Sequence, residues 1–426
     1  MGDRDVGAGR RKGASRLKGI EFRRSLPRYV LLKLLGARGK RLHGVRALLP
    51  IRYGEVAEPR LPGPAWVRVR PAYAGICGSD LSTIFAKGSP YLAPITSMPF
   101  VLGHEVVGRV VETGVGVTRF REGDRVVLHP ALGCRVRGIE PLCDSCRRGR
   151  DALCRNITRG AIARGVQTGY CRDTGGGWSE GFVAHESQLY PVPAEVDDAT
   201  AVLIEPFSCC LHAALSAPLD RGDTALVLGC GSIGLLTIAA LRASGCAARI
   251  VAAAKYDHQR VLAKALGADE LAPGGGALRG RYEAWGKLVG ADVLKPEWGK
   301  PTVIGGADVT FDCVASSASI DDAVRFTRSG GTMMLVGMPS VPSGVDWTPL
   351  WFKELTLKAT YAYGPERVGE RTLDTFDYAI ELFRTWGPRL TPMLSRPFEL
   401  ADYTGALACA ADTGRSGAAK TVFRIG

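Results

Sequence analysis

Asp223-Thr-Ala-Leu-Val-Leu-Gly-Cys-Gly-Ser-Ile-Gly234 carries the clearest indication of architecture in this chain of 426 residues. An apolar run of strand length leads directly into the pattern Gly-x-Gly-x-x-Gly, and an apolar stretch of helical length follows over residues 232–244. A glycine pattern alone is weak, because a chance Gly-rich turn can match it. With a strand before it and a helix after it, the segment predicts a β-α-β unit that binds a dinucleotide.

Each glycine has a physical role in that unit. Gly229 permits the tight turn, Gly231 lets the backbone approach a pyrophosphate, and Gly234 lets the helix pack closely on the strand. Ser232 and Ile233 lie at the N-terminus of the helix, where unpaired N–H groups face the phosphates. We therefore expect these five residues to bind the cofactor.

Further strands and helices extend the pattern on both sides. The predicted elements are strands at 66–70, 106–111, 125–128, 249–252, 308–313, 331–336 and 420–424, and helices at 320–327 and 372–385. The first half is thus expected to be all-β and the second half a doubly wound domain. Residues 272–302, rich in Gly and containing two Trp, are interpreted as a surface excursion.

The second strand of the doubly wound domain ends in Ala254-Lys255, where dinucleotide-binding folds usually place a carboxylate that pairs with the ribose. A carboxylate would repel a 2′-phosphate, whereas Lys255 can pair with one, as can His258 or Arg260. NADP is therefore favoured over NAD as the cofactor. The alternative is that Lys255 is a solvated loop lysine.

Two runs in the first half contain the parts of an open zinc site: Gly75-Ile-Cys-Gly-Ser-Asp80 and Gly103-His-Glu105. Cys77 offers a thiolate, His104 an imidazole and Glu105 a carboxylate, all groups that zinc accepts as ligands. A metal with an open position can activate an alcohol or a carbonyl. The two runs together predict a zinc oxidoreductase.

A second group of cysteines has the spacing of a closed zinc site. Cys143 and Cys146 form a Cys-x-x-Cys pair, Cys154 follows it, and Cys134 precedes it. Four thiolates leave no open position, so such a zinc holds a loop and does no chemistry. Cys171 is a weaker candidate for the fourth ligand, and a disulfide or lone-thiol interpretation stays open.

The formal charge of +13 is concentrated at the N-terminus. Residues 1–46 hold fourteen Lys or Arg against Asp3, Asp5 and Glu21, so this stretch carries +11 and the remainder +2. A basic arm can contact nucleic acid or an anionic membrane surface, but a solvated tail is the simpler interpretation. Residues 26–35 predict a short helix, whose apolar face we expect to pack on the body of the protein in preference to lying on a membrane.

Composition also restricts the location of the protein. No apolar run approaches the roughly 18 residues that span a bilayer, and the N-terminus lacks the apolar stretch of a secretory signal. Twelve cysteines in such a chain are more consistent with metal binding than with disulfides. We expect a cytoplasmic protein.

These motifs resemble the zinc-containing medium-chain dehydrogenases and reductases of the alcohol dehydrogenase superfamily, in particular the branch of sorbitol and threonine dehydrogenases. The Cys77 run, Gly-His104-Glu105, the cysteine-rich lobe, the Gly229 pattern and the strand over 329–337 occur in that family's order. The resemblance implies an α/β protein with a GroES-like β-barrel catalytic domain and a doubly wound Rossmann domain. The implied divisions are a basic N-terminal extension (1–47), the catalytic domain (48–205) with a zinc lobe at about 130–158, the Rossmann domain (206–345) and a C-terminal return to the catalytic domain (346–426).

The same resemblance assigns roles at the metal. Cys77 and His104 look like ligands of a catalytic zinc, and Glu205 corresponds to the position where this branch has a glutamate and classical alcohol dehydrogenases have a second cysteine. Glu105 resembles the family's mobile carboxylate, which approaches the metal directly or through water. Asp80 resembles the acid that orients the ligating histidine through the second ring nitrogen.

Proton transfer is expected to depend on Ser79, which accepts the proton of the bound alcohol and passes it on. The carbon of the resulting alkoxide then delivers hydride to the nicotinamide. Many relatives end this relay with a histidine five residues after the ligand cysteine, but this chain has Ser82 there. The first cysteine of the lobe is a second departure. In relatives this cysteine usually lies shortly before the Cys-x-x-Cys pair. Cys134 is farther away and Glu140 is nearer, so Cys134 is the weakest of the assigned ligands.

Three functions remain open from the sequence. The first is reversible oxidation of an alcohol or polyol with NAD(P), by an enzyme that forms dimers or tetramers, as the resemblance implies. The second is a zinc-free quinone or enoyl reductase of the same superfamily, which would not need Cys77, His104 or the cysteine lobe. The third is a binding protein tethered through its basic arm.

Overall fold

The computed structural model describes residues 15–35 and 48–426. The strands in those residues are β1 (Arg16–Phe22), β2 (Ile51–Ala57), β3 (Trp66–Gly75), β4 (Phe100–Val101), β5 (Val106–Thr113), β6 (Arg125–Leu128), β7 (Phe182–His185), β8 (Leu189–Pro191), β9 (Thr224–Leu228), β10 (Arg249–Ala254), β11 (Glu270–Pro273), β12 (Ala291–Leu294), β13 (Thr302–Gly305), β14 (Ala307–Asp312), β15 (Thr327–Leu335), β16 (Thr356–Ala359), β17 (Pro365–Val368), β18 (Arg371–Asp374) and β19 (Val422–Arg424). The helices are α1 (Leu26–Leu35), α2 (Gly78–Ile84), α3 (Asp144–Arg147), α4 (Asp198–Ala201), α5 (Ile204–Ser216), α6 (Ser232–Ala243), α7 (Asp257–Ala265), α8 (Leu278–Val289), α9 (Ser317–Phe326), α10 (Thr348–Phe352), α11 (Thr375–Leu390), α12 (Tyr403–Ala411) and α13 (Thr413–Ser416).

Six parallel strands form the sheet that the glycine segment predicts, in the order β11-β10-β9-β14-β15-β16. β9 lies inside this sheet and is buried on both faces. Ala225 and Val227 point into a core shared with α5 and α6, whereas Leu226 and Leu228 point into a second core shared with α8 and α9. A continuous apolar run is therefore what this strand requires. The prediction of a doubly wound domain is confirmed.

The first half of the chain forms an antiparallel sheet in the order β19-β3-β5-β6-β8, with β7 also paired to β3. The sheet's apolar side chains, including Val67, Val110 and Leu128, pack with Trp178 in one buried cluster. β19 comes from the C-terminus, and its Val422 pairs with Gly75 at the end of β3. This pairing brings residues 419–421 next to the run that contains Cys77.

β16 corrects one predicted boundary. Its residues pair in parallel with β15, so the Rossmann sheet continues to residue 359 and not only to 345. The strand is short and all four of its side chains are exposed. A sheet edge of this kind has no apolar run that would identify it in the sequence. The return to the catalytic domain therefore begins later than predicted.

The interpretation of the basic arm as a solvated tail is wrong for residues 16–22. They form β1, which pairs along its whole length with β2 and at its end with β4. Ile20 and Phe22 alternate into the catalytic-domain core, and Phe22 stacks on Phe100 with ring centroids 5.1 Å apart. The abundant charges of the arm conceal this alternation. Residues 1–14 and 36–47 of the predicted extension lie outside the described residues.

The predicted helix after β1 is confirmed as α1, but its predicted packing is wrong. Among residues 26–34 of the helix, only Leu32 is buried by the body of the protein, at 2 % exposure. Leu26 and Leu34 are 64 % and 80 % exposed, and Val30 is 47 % exposed. Most of the apolar surface of α1 therefore has no partner among the described residues.

Residues 272–302 are only in part the surface excursion that their composition suggests. α8 packs on the Rossmann sheet through Tyr282 and Trp285, which are buried against Phe326. Trp298, in contrast, is 90 % exposed. Across residues 15–35 and 48–426, no helix has both the length and the apolarity that crossing a bilayer demands. The cytoplasmic location stays a prediction.

Candidate active site

The catalytic candidates begin where β3 ends and α2 begins. Cys77 is the N-cap residue of α2, and its backbone N–H donates to Oδ2 of Asp80 at 2.9 Å. This bond places the buried Asp80 carboxylate in the first turn of the helix, under the cysteine. The spacing Cys-Gly-Ser-Asp thus produces a capped helix start with the thiol at its tip.

His104 and Glu105 follow β4 through a glycine that cannot be replaced. Gly103 has φ of +96°, and a Cβ there would lie 2.3 Å from Cδ1 of Trp178. The turn directs both following side chains inward, where each is at most 4 % exposed. Among the described residues, Cys77, His104 and Glu105 each offer a ligand atom within 4.8 Å of the others. We call this group the mixed cluster.

The mixed cluster suits a metal cation. Oε2 of Glu105 is buried without a hydrogen-bond partner in the described part of the chain, and Nδ1 of His104 has the Asp80 carboxylate 3.5 Å away. Burial disfavours a charged imidazole, yet the Asp80 carboxylate and the Cys77 thiol raise the pKa of His104 to about 10. The anionic groups thus outweigh desolvation and call for positive charge. The donors, sulfur, nitrogen and oxygen, are those of a zinc site.

Glu205 lies beside the mixed cluster, but its carboxylate is not within 4.8 Å of all three ligand atoms. It is buried in the first turn of α5, and its Oε1 accepts a hydrogen bond from the Tyr363 hydroxyl at 2.8 Å. Burial raises the pKa of Glu205 to about 7, opposed by the charge of His104 and supported by that of Glu105. The carboxylate is therefore close enough to interact electrostatically with two members of the cluster.

A buried lysine completes the charge balance. Nζ of Lys420 donates to Oε1 of Glu105, and both side chains are at most 3 % exposed. Burial opposes the charge on Lys420, but Glu105 and then Cys77 raise its pKa above the ordinary value. The pair leaves Oε2 of Glu105 as the oxygen available to a metal.

Ser79 and Asp80 both lie next to His104. Oγ of Ser79 is 3.5 Å from Nε2 of His104, and Oδ1 of Asp80 is 3.5 Å from Nδ1. Tyr170, buried and 90 positions farther along the chain, donates to the same Asp80 oxygen at 3.4 Å and lies 3.1 Å from Oγ1 of Thr83. Ser82 does not take part in these hydrogen bonds. The hydroxyl groups around the histidine are thus those of Ser79 and Tyr170.

The glycine loop has the geometry that its pattern predicts. Gly229 has φ of +87°, and a Cβ on Gly234 would lie 1.8 Å from the carbonyl oxygen of Gly229. A Cβ on Gly231 would meet nothing within 4 Å, so its surface is open. An open backbone at the start of α6, beside the sheet's carboxyl edge, is suited to receive a pyrophosphate.

Two connections join the mixed cluster to this loop. Oγ of Ser232 donates to the carbonyl oxygen of Ala419, the residue before the lysine that pairs with Glu105. Sγ of Cys210, on the helix that begins at Glu205, donates to the carbonyl oxygen of Ile233 at 3.4 Å. The metal candidates and the start of α6 are therefore neighbours, as hydride transfer between them requires.

A cavity of about 510 Å³ lies where the ribose of a dinucleotide is expected, at the end of β10. It is lined by Ala254, Lys255, Asp257, Arg260 and residues 273–276. The backbone N–H of Lys255 donates to Oε1 of Gln259 at 3.3 Å. Nζ of Lys255 lies 5.2 Å from the centre of the Tyr256 ring. The cavity is thus lined by two basic side chains, Lys255 and Arg260, and by one carboxylate, Asp257.

The four lobe cysteines meet in one buried group, which we call the four-cysteine cluster. Sγ of Cys134 and Sγ of Cys143 lie 3.6 and 3.9 Å from Sγ of Cys154. Tetrahedral zinc with Zn–S of about 2.3 Å would hold its sulfurs about 3.8 Å apart, whereas a disulfide needs about 2.05 Å. The backbone N–H of Cys134 also donates to Sγ of Cys146 at 3.3 Å. Cys171 lies outside this cluster, and its thiol donates a hydrogen bond to the carbonyl oxygen of Ala163.

Comparison with known families agrees with both halves of the fold. Residues 63–194 match the family model described as alcohol dehydrogenase GroES-like domain, and residues 232–377 match the model described as zinc-binding dehydrogenase. The chain belongs to the zinc-containing medium-chain dehydrogenase/reductase family. It is accordingly an NAD(P)-linked oxidoreductase that acts on CH–OH groups.

Individual relatives of this dehydrogenase are distant. An L-idonate 5-dehydrogenase from Vitis vinifera is 29 % identical over 79 % of this chain and 81 % of the relative. An L-threonine 3-dehydrogenase from Paraburkholderia phytofirmans is 28 % identical over 80 % of this chain and 87 % of the relative. Among solved structures, 2R,3R-butanediol dehydrogenase from Bacillus subtilis matches with a TM-score of 0.69 and 24 % identity, covering 96 % of this chain and 99 % of that one. The last comparison concerns the fold alone.

The sequence did not identify three residues that contact the predicted site: Tyr170, Tyr363 and Lys420. Each makes its contact across 90 to 315 positions of the chain. A single tyrosine or lysine within an ordinary strand or loop has no local signature. Only the topology, in particular the pairing of β19 with β3, brings them to the dehydrogenase site.

Proposed function

We propose that this dehydrogenase interconverts a secondary alcohol or polyol and the corresponding ketone at a zinc ion held by Cys77, His104 and a glutamate, with NADP as the preferred cofactor. The observation that carries the proposal is the mixed cluster, in which Oε2 of Glu105 is buried without a hydrogen-bond partner in the described residues, next to the start of α6. A zinc-free reductase would need neither this cluster nor the four-cysteine cluster.

Each side chain of the site has a stated task. Bound zinc would act as a Lewis acid that lowers the pKa of the alcohol, and bound nicotinamide would accept the hydride. Ser79, whose hydroxyl lies beside His104, would accept the proton of the alcohol and pass its own hydroxyl proton on toward solvent. Asp80 and Tyr170 orient the imidazole, and Lys420 holds one oxygen of Glu105 so that the other faces the cluster.

The glutamates share the role of third ligand in this proposal. Glu205 is the expected permanent ligand, because Tyr363 fixes its carboxylate and its charge acts on His104. Glu105 would be the alternative ligand, because its carboxylate lies within 4.8 Å of the ligand atoms of Cys77 and His104. The four-cysteine cluster is proposed to hold a second, structural zinc.

The preference for NADP is supported by the cavity at the end of β10. Ala254 stands where a carboxylate would pair with the ribose, and Lys255 and Arg260 line the space beyond it. Asp257 also lines the cavity and is the group that would weaken the preference. In Lys255→Ala, kcat/KM for NADP is expected to fall about tenfold or more, with that for NAD changed less than threefold. Equal losses with the two cofactors would contradict the preference.

The substrate class is supported by the relatives' names. L-idonate 5-dehydrogenase and L-threonine 3-dehydrogenase both refer to oxidation at a secondary carbon. We extend this chemistry to the present chain as a proposal. A homo-oligomer, dimer or tetramer, is also proposed, because β16 leaves an edge of the Rossmann sheet exposed beside Trp351 and Phe352.

One experiment tests the main proposal. Protein of measured zinc content is assayed with a panel of secondary alcohols, vicinal diols, polyols and primary alcohols, each with NADP and with NAD. The expected result is zinc-dependent oxidation of secondary alcohols that is faster with NADP. Zinc-free protein that reduces quinones or enones at undiminished rates would contradict the proposal and support the zinc-free reductase.

A further inference from the structure

The exposed side of α1 is an apolar surface without a partner in the described residues. Helical periodicity places Leu26, Tyr29, Val30 and Leu34 on one side of the helix, and we call these four residues the α1 face. Their exposures are 64 %, 39 %, 47 % and 80 %. A single exposed leucine would be ordinary, but four neighbouring apolar side chains on one short helix form a patch.

The opposite side of α1 attaches the helix to the catalytic domain. Leu32 is buried, and Nη1 of Arg28 donates to the carbonyl oxygen of Leu49 at 3.1 Å. Three residues separate the helix from β1, a span of roughly 10 Å when extended. The helix is therefore held at the surface with the α1 face turned away from the body.

Basic residues lie before and within the α1 face. Arg23 and Arg24 precede the helix and are exposed, and Lys33 lies within the face, with Nζ 5.7 Å from the centre of the Tyr29 ring. Residues 1–46 as a whole carry +11, against +2 for the rest of the chain. The partner of this face must therefore offer an apolar phase and negative charge together.

We propose that the α1 face docks on an anionic lipid bilayer surface. The leucines, the valine and the tyrosine would enter the boundary between headgroups and acyl chains, while the surrounding lysines and arginines pair with lipid phosphates. Nucleic acid offers the negative charge but no phase for Leu26, Val30 and Leu34. A second copy offers apolar surface but would bring two strongly basic arms together.

Docking would hold the catalytic domain close to the bilayer. β1, which precedes α1, pairs at Phe22 with Phe100 in β4, and His104 follows four residues after Phe100. The anchor and the mixed cluster thus belong to one continuous piece of structure. The enzyme would then meet its substrates at the membrane surface.

Vesicle co-sedimentation of the full chain tests the proposal. Wild-type protein is expected to partition at least tenfold more strongly onto phosphatidylcholine vesicles with about 30 % phosphatidylglycerol than onto phosphatidylcholine alone, and to dissociate as salt rises. In Leu26→Ser/Val30→Ser/Leu34→Ser, partitioning is expected to fall more than tenfold. The matched control Val115→Ser/Leu294→Ser/Ile304→Ser changes three side chains that are also exposed and should bind within twofold of wild type.

Other outcomes would overturn the proposal. Equal binding to neutral and anionic vesicles, or undiminished binding of the triple α1 variant, would reject docking through this face. Binding of the wild-type protein to duplex DNA but not to vesicles would assign the arm to nucleic acid. A change in mass of the triple variant by light scattering, without any vesicle binding by wild type, would assign the face to a second copy. Zinc content and Tm must match wild type, which separates loss of docking from misfolding.

Discussion

The mixed cluster and the four-cysteine cluster differ in donors, surroundings and the way they are held. The mixed cluster combines a half-buried thiol with an imidazole and a carboxylate, and its members come from two segments around β4 and α2. The four-cysteine cluster uses one donor type, and all four thiols are buried within 21 residues of chain. A site with varied donors and long-range partners can change its coordination, whereas a site with four equal, local donors cannot.

The surroundings strengthen this contrast. Around the mixed cluster lie ionisable or proton-carrying groups: Ser79, Asp80, Tyr170, Glu205 and Lys420. Around the four-cysteine cluster the partners of the thiols are mainly backbone N–H groups and the Asn156 amide, with one carboxylate, that of Asp151, beside Cys146. Titratable neighbours serve proton transfer, and fixed backbone dipoles serve only to stabilise thiolates. We therefore expect substitutions in the two clusters to have opposite effects on turnover and stability.

Cys77→Ser should have the largest effect on turnover. Loss of the thiolate weakens metal binding in the mixed cluster, so kcat should fall by about 10³-fold or more, and zinc content should fall from about two to about one per chain. Atomic emission and steady-state assays measure both. Tm should change by less than about 3 °C, because β3 and β5 are held by strand pairing and core packing that do not include the metal. Cys246→Ser, outside both clusters, is the control, and a Cys77→Ser enzyme with two zinc ions and normal turnover would end the assignment.

Ser79→Ala should have the next largest effect. Removal of the hydroxyl beside His104 should lower kcat for alcohol oxidation by about 10²-fold, while zinc content and cofactor affinity stay unchanged. Ser82→Ala removes a hydroxyl three residues away and should leave kcat within about twofold. The measurement is kcat from pH 6 to 10 for both variants. Similar rates in the two variants would mean that protons leave by a route that avoids Ser79.

Tyr363→Phe should have a moderate effect. Its hydroxyl donates to Oε1 of Glu205, and loss of such a partner typically lowers metal affinity or activity by about tenfold or somewhat more. Tyr190→Phe is the matched control, because it removes a half-buried hydroxyl in the same aromatic cluster but one that bonds Asp374. Competition with a zinc chelator and kcat/KM provide two readouts. Equal behaviour of both variants would remove Glu205 from the metal's environment.

The parts of the site that were predictable have local signatures. Cys77, Asp80 and the glycine loop lie at the starts of helices, where spacing alone determines which groups point together. The four-cysteine cluster was predictable because its thiols lie close together in the sequence, and Cys134 joins it although its spacing was the least regular. Lys420 was not predictable, because it reaches Glu105 across 315 positions.

The misinterpreted regions are those where composition hid a pattern. β1 alternates apolar residues among many charges, so the charge run suggested a tail. β16 is an exposed edge strand without an apolar run. α1 was predicted correctly as a helix, but amphipathicity implies a face and does not say what covers it. For β1 and β16 the missing information lies in the strand that each pairs with, β2 and β15.

Cys146→Ser should have the smallest effect on turnover and the largest on stability. Removing one of four thiolates should release the lobe zinc, lower its content to about one per chain and reduce Tm by about 5–10 °C. Because the mixed cluster is unaffected, kcat per folded molecule at low temperature should stay within about threefold of wild type. Cys171→Ser, a buried thiol outside the cluster, controls for the loss of a core sulfur and should retain both zinc ions. If Cys146→Ser lowered kcat as strongly as Cys77→Ser while Tm held, the division between a chemical and a structural cluster would have to be abandoned.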